Sequence, residues 1–532
     1  MMKRLVALLL TAVLLVSMTA FASAEGKTLR FATSTEPTSL DPQLGNGTWI
    51  TNVTGAIFES LLRRYNGEIL PGVAESYEVS EDGTVYTFHL RDCSWTDGTP
   101  ITAQTFVDSW NLLIERATPM SQFTEYFTIT DESGKNVANA VALDEKTLQC
   151  TLNYNVPFMA ELFANSALGP VRTDLYAQYG DAYYQSVPMA MNGPFILKDW
   201  FPNDQMVLVP NEQYWNAEKV NFDTVYIYTV SDTTTQANMY ESGELDLLTV
   251  PKTMYADFEG KGMMYYEDGG KYYLQFTTDG STDETAPFLA NRDFIEAVSY
   301  CIDRENFVAS IYGKAYTPTT EFIPGSATGY NGGDKASSGV TIESPFAIKA
   351  DYDVAQAKLD SALAALGTTA DAMPSFTLVV NDNAATQTAA QYLQDACSMV
   401  GITLVIDTIP STTYWSTLRA GYRYDFALCG SGPDVSDAST FFDVYDGKGK
   451  YADTFMRWQS AEYSEMLKAS WTAPTAEERT ELLVKMENYL LANGPTIPLY
   501  NSRAAWLIRD GYTNINRNMT GADLDYVFGD VQ

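Results

Sequence analysis

The chain has 532 residues, with 33 Lys+Arg against 67 Asp+Glu, a formal net charge of −34 and one histidine. Such acidity excludes a nucleic-acid partner, which needs clustered Lys and Arg. The single histidine excludes multi-histidine metal sites and leaves a Ser-His-Asp or Cys-His mechanism only His89 to run through.

At this length, with 45% apolar residues, two or three packed units are expected. Lys3 and Arg4, the apolar run Leu5 to Val16, and Ala22-Ser23-Ala24 read as a secretory signal cleaved after Ala24. The run is too short to span a bilayer comfortably, and no later stretch approaches 18 apolar residues, so a soluble mature protein is expected. The first cysteine is Cys93, so no lipoprotein cysteine follows the cleavage site. Cys93, Cys150, Cys301, Cys397 and Cys429 are too few for a disulfide scaffold, and at least one thiol is left over.

Along the first half, residues 77–90 predict a hairpin turning at Glu81-Asp82-Gly83, with Tyr86, Phe88 and Leu90 on its buried face. His89 falls on the other face and reads as an ordinary strand residue. Residues 102–114 predict a helix capped by Thr102, with Phe106, Trp110, Leu113 and Ile114 as its stripe. Strands are expected at 205–209 and 225–230, and a short helix from Gln236 to Ser242, stopped by Gly243.

The second half changes period. Residues 291–312 and 354–366 carry apolar residues at helical spacing. Then strand 376–380, helix 385–399, strand 402–406, helix 413–420 and strand 424–428 alternate, predicting a mostly parallel sheet. Ligands bind beyond the carboxyl ends of such strands, which marks the loop Cys429-Gly430-Ser431-Gly432-Pro433-Asp434. Thr475 and Glu478 open a last helix with Leu482, Leu483, Met486, Tyr489 and Leu490 on one face, ended by Asn493-Gly494-Pro495. Asp279 to Ala286 and Gly325 to Ser344 read as polar connectors.

Signatures of catalysis are absent: no G-x-S-x-G, no phosphate loop, no dinucleotide fingerprint and no calcium loop. Asp434 with Asp437 could serve a glycoside hydrolase, but among 67 acids a nearby pair is expected by chance. The residues alone give a secreted, acidic, two-lobed α/β protein with a ligand crevice, either enzyme or binder.

Several segments carry a resemblance. Glu36-Pro37-Thr38-Ser39-Leu40-Asp41-Pro42, the long run from Ile57 (I-F-E-S-L-L-R-R-Y, then L-P-G-V-A-E-S-Y-E-V-S-E-D-G-T-V-Y-T-F-H-L-R-D, then S-W-T-D-G-T-P-I-T-A-Q-T-F-V-D-S-W), and Asn192-Gly193-Pro194-Phe195 come first. Asn211-Glu212-Gln213-Tyr214-Trp215, Ser242-Gly243-Glu244-Leu245-Asp246, Ala297 to Arg304 and Pro495-Thr496-Ile497-Pro498-Leu499-Tyr500 follow in order. Together they resemble the family 5 extracellular solute-binding proteins, the peptide- and nickel-type receptors of ABC importers.

The resemblance implies an α/β, two-lobed periplasmic-binding-protein-like (type II) fold with an extra N-terminal subdomain. Lobe I would take residues 25–66, 188–278 and 495–532, the subdomain 67–187, and lobe II 279–494. The implied activity is capture of di- or oligopeptides for a membrane permease, by a monomer in a periplasm or outside the cell, with no catalysis, cofactor or metal. Nickel chelates, haem, oligosaccharides and opines are alternative cargoes. Gly432-Pro433-Asp434 resembles the oligopeptide receptors' W-G-P-D-Y-x-D-P, in which the aspartate grips the peptide's α-ammonium. The tryptophan position is Ser431 here, the tyrosine Val435 and the proline Ala438. Glu36 and Tyr500 match further crevice positions of those receptors. Asp434, Gly432, Ser431, Glu36 and Tyr500 are thus the candidate ligand contacts.

Overall fold

The computed structural model describes residues 26–44, 48–447 and 452–532; the predicted signal lies outside the described residues. Near the N-terminus, Thr28–Thr33 pairs in parallel with Thr224–Thr229, which Gln205–Pro210 and then Phe195–Phe201 extend antiparallel. Leu29, Phe31, Val225 and Ile227 alternate onto its buried face. The predicted hairpin forms from Ala74–Val79 and Val85–Leu90, turning at Gly83 with φ +71. Thr147–Thr151 and Ala140–Ala142 complete that sheet. Helix Ala103–Arg116 starts at Thr102 and buries Phe106, Trp110 and Leu113, with Trp110 Nε1 donating to the Leu168 carbonyl at 2.8 Å. His89 sits half-buried on the outer face, opposite Ser76 and Thr147. Leu29, Phe31, Phe88 and Trp110 belong to one continuous core.

A seven-stranded sheet organises the rest. Its order is Leu247–Val250, Thr496–Ile508, Met264–Phe276, Phe426–Ser431, Phe376–Asn381, Leu404–Ile409, with Tyr316–Pro318 added on Thr496–Ile508. Phe376–Asn381 runs parallel to both neighbours, as the alternating pattern predicts, while the crossing from Met264–Phe276 to Phe426–Ser431 is antiparallel. The strand expected at 402–406 begins at Leu404, because Ile402 leaves the preceding helix as a fully buried core residue.

Local caps explain the helices. Asp232 accepts from the Thr235 amide at 2.7 Å, so the helix expected from Gln236 begins at Thr233; it ends at Gly243 with φ +92. The stretch 291–312 is two helices, Arg292–Tyr300 and Arg304–Ile311, because Asp303 caps the second by accepting from the Asn306 amide at 2.8 Å. The polar segment 325–344 is more than a connector: Lys335, 5% exposed, donates at 2.8 Å to Glu487 on the buried face of helix Ala476–Asn493.

The long strands Met264–Phe276 and Thr496–Ile508 pair with each other and join the two lobes. Tyr266 and Trp506 pack on the core of the first lobe. Tyr273, Leu274, Phe276, Ile497, Leu499 and Tyr500 belong to that of the second. Between these groups the register breaks from Glu267 to Lys271. Gly269 there has φ +71, and a Cβ on it would lie 2.6 Å from Pro433 Cγ, so only glycine lets the crossing strand pass the loop after Phe426–Ser431.

Candidate functional site

Beyond the carboxyl ends of the parallel strands lies a crevice of about 1230 Å³. Leu428 to Gly432 and the Asn381–Thr386 turn line one wall. Lys252, Asp268, Ser502 and the segment Asn518–Met519 form the opposite wall. Ser502 Oγ donates to Asp268 Oδ2 at 2.7 Å and accepts from Lys252 Nζ at 2.5 Å.

The floor is a tyrosine cluster. Tyr500 stacks on Tyr272 with ring centroids 4.7 Å apart and touches Tyr312 at 4.8 Å and Tyr316 at 5.1 Å. Tyr500 is 1% exposed and therefore supports the other three rings from beneath. Burial raises all four phenols above their ordinary value, and the three half-buried ones, Tyr272, Tyr312 and Tyr316, face the crevice as neutral hydroxyls. Gly430 makes this floor possible: a Cβ there would lie 2.6 Å from Tyr272 Cε1.

Asp434 stands at the crevice margin. It lines a recess of about 80 Å³ with Arg63, Arg64, Glu161 and Asp525. Asn518 lines both recess and crevice, so the two adjoin. The Asp434 side chain is open to the solvent of the cleft, yet the surrounding walls thin its hydration and raise its pKa. Among the described residues its carboxylate has no cationic partner, and its amide donates to Thr440 Oγ1 at 3.2 Å.

The loop bearing Asp434 is held on two sides. On one side, the Ser436 amide donates to Glu161 Oε1 at 2.9 Å and Oε2 at 3.1 Å. Glu161 Oε1 also accepts from Arg64 Nη1 at 2.6 Å and Thr520 Oγ1 at 2.8 Å. Val435, 4% exposed, is buried in the core of the first lobe, where a tyrosine would not fit without repacking. On the other side, Arg479 of helix Ala476–Asn493 grips Asp437 with two bonds, Nη1 to Oδ2 at 2.9 Å and Nη2 to Oδ1 at 2.7 Å. Asp437 is thus committed to structure, and the Asp434–Asp437 pair is not a pair of free carboxyls.

Of the candidate contacts, Ser431, Gly432 and Tyr500 meet at the crevice and Asp434 in the adjoining recess. Glu36 lies apart, accepting from Trp200 Nε1 at 2.7 Å and Thr229 Oγ1 at 2.8 Å on the four-stranded sheet. Sequence reasoning missed Asn381, Asn383, Asp268, Glu161 and Asn518. The strand-end rule applied to Phe376–Asn381 would have found the first two. The Gly269-Gly270 pair inside an apolar run signals the bulge beside Asp268. Glu161 has no local signal, since its partner Ser436 lies 275 residues away, and the local bonds of Asn518 to Ala522 and Asp523 do not mark it as a site residue.

Among the described residues no helix is long and apolar enough to cross a membrane, and no three or more His, Cys, Asp or Glu side chains could together hold a metal ion. The family sequence model described as bacterial extracellular solute-binding proteins, family 5 Middle, matches residues 68–453. The oligopeptide-binding protein OppA of Bacillus subtilis (strain 168) is 26% identical over 91% of this chain and 89% of its own length. The periplasmic oligopeptide-binding protein OppA of Salmonella typhimurium is 27% identical over 92% of this chain and 90% of its own. Among solved structures, the unliganded open form of the periplasmic murein tripeptide binding protein MppA is 25% identical. It overlays 95% of this chain and 98% of its own with a TM-score of 0.80.

Proposed function

This chain belongs to the bacterial extracellular solute-binding proteins of family 5, and from that premise we propose that it is the peptide receptor of an ABC importer. It captures di- and oligopeptides between its lobes and delivers them to a membrane permease, acting as a monomer and catalysing nothing. The two OppA relatives, named as oligopeptide-binding proteins and matched along nearly their whole length, support the cargo. The signal predicted at residues 1–24 supports export, with cleavage after Ala24 and work in a periplasm or outside the cell.

The observation that carries this reading is Asp434, a carboxylate without a cationic partner among the described residues, at the solvent-open margin between a recess and a crevice of about 1230 Å³. A peptide's α-ammonium there makes a charge-assisted hydrogen bond, and its charge offsets the desolvation that raises the Asp434 pKa. The peptide main chain extends along Gly430 to Gly432 as an added strand, and neutral tyrosine hydroxyls take its polar groups without reading its sequence. Closure is a hinge motion of the crossing strands about the register break at Glu267–Lys271. Lobe I is residues 25–66, 188–278 and 495–532, the subdomain 67–187 and lobe II 279–494.

Calorimetric titration with trialanine and N-acetyl-trialanine tests the reading. Acetylation and Asp434→Asn are each expected to weaken binding roughly ten- to hundredfold, the worth of a hydrogen bond to a charged group. Absence of heat with any di- to hexapeptide pool, from folded protein, refutes peptide capture.

A further inference from the structure

A second cavity, of about 340 Å³, opens where the subdomain meets lobe II, and it shares no lining residue with the crevice or the recess of Asp434. Its aromatic walls are Tyr126, Tyr154, Phe158 and Trp471. Tyr154 stacks on Trp471 at 5.4 Å across the two bodies, and Tyr126 meets Phe158 edge-on at 5.6 Å. Three carboxyl groups, Glu125, Asp443 and Asp446, line the same space, and no lysine or arginine does.

These acids are not spent on structure alike. Asp446 Oδ1 accepts from Ser464 Oγ at 2.6 Å. Asp443 differs: its Oδ1 is cut off from water and has no hydrogen-bond partner. Burial, with Asp437, Asp446 and Glu125 nearby, pushes its carboxyl up to about 8. Arg479, the opposing cation among the described residues, is already engaged by Asp437, and the buried hydroxyl of Tyr463 donates instead to the Phe442 carbonyl. Burial raises Glu125 as well. Such an acid is uncharged near neutral pH, and a cation entering the aromatic cavity beside it favours its ionised form. Aromatic faces add cation–π attraction while admitting the alkyl part of such a cation.

We propose that this cavity is a second binding site, which takes a free alkylammonium cation with its nitrogen at Asp443 and its hydrocarbon against Tyr154 and Trp471. It operates independently of any peptide in the crevice. The site uses the junction of subdomain and lobe II, where Asn155 Nδ2 also donates to the Trp471 carbonyl at 2.6 Å.

Titration of the full mature chain with n-butylammonium chloride at pH 8.5, against n-butanol as the uncharged isostere, tests it. The ammonium is expected to bind at one saturable site, and the alcohol at least roughly tenfold more weakly. Asp443→Asn, isosteric at a position that lacks a partner, and Glu125→Gln, on the opposite wall, should each weaken the ammonium roughly tenfold or more. Asp434→Asn should leave it unchanged while weakening trialanine, which separates this site from the peptide reading. Equal binding of alcohol and ammonium, no saturable binding, or loss with Asp434→Asn rather than Asp443→Asn overturns the proposal.

Discussion

Glu161 lines the recess beside Asp434 and fixes the loop that carries it. Its carboxylate accepts from the Ser436 amide, Arg64 Nη1 and Thr520 Oγ1, all at 3.1 Å or less. Glu161→Ala removes the acceptor of all three donors at once. Arg64 retains Thr520 Oγ1 at 2.6 Å, so it is not stranded, and the loss falls mainly on Ser436. A hydrogen bond to a charged acceptor is worth about 1.5–3 kcal/mol, hence roughly a ten- to hundredfold rise in the opening equilibrium of that amide. Hydrogen exchange read by mass spectrometry on a peptide spanning Ser436 measures it directly. Glu161→Gln keeps a carbonyl for Ser436 and should accelerate exchange less than roughly tenfold. Trialanine affinity should fall in step, because a loop that undocks carries Asp434 with it. Unchanged exchange at Ser436, or equal acceleration in the distant strand Phe376–Asn381, refutes the anchoring argument.

Three further outcomes are expected. Gly430→Ala puts a Cβ 2.6 Å from Tyr272 Cε1; it should cost about 1–3 kcal/mol in urea unfolding and weaken peptide binding by tilting the crevice floor. Arg479→Met leaves Asp437 buried and unpaired, and should lower lobe II stability by about 3–5 kcal/mol, whereas a double substitution that also replaces Asp437 should recover most of it. Asp443 binds its proton more tightly folded, near 8, than unfolded, so its contribution is present below the unfolded carboxyl pKa and is lost as pH rises toward 8. Asp443→Asn should therefore stabilise the protein by about 1–3 kcal/mol at pH 8.5 and by little at pH 4, read from denaturant midpoints.

What the sequence disclosed and what it hid divide along the distance between partners. Caps such as Thr102 and Thr475, and the turn at Gly83, act within a few residues and could be read directly. Alternation placed Tyr86, Phe88 and Leu90 inward, and period placed Leu483, Met486 and Leu490 inward. The strand-end rule located Ser431 and Gly432 at the crevice without any resemblance. By contrast, the pairing of Met264–Phe276 with Thr496–Ile508 joins segments more than two hundred residues apart, and no local pattern specifies it. The same holds for Glu161 with Ser436, 275 residues on. The excess of acid also reads differently once its members are placed. Asp437 is committed to Arg479, Asp246 to Arg30 and Asp41 to Arg116, so these carboxylates serve structure. Asp434 and Asp443 stand in protein-walled spaces without such a cation, and burial raises both. A net charge of −34 therefore says less about ligand than the positions of these two acids do, because screening mutes the exposed majority while walls preserve the field of the few.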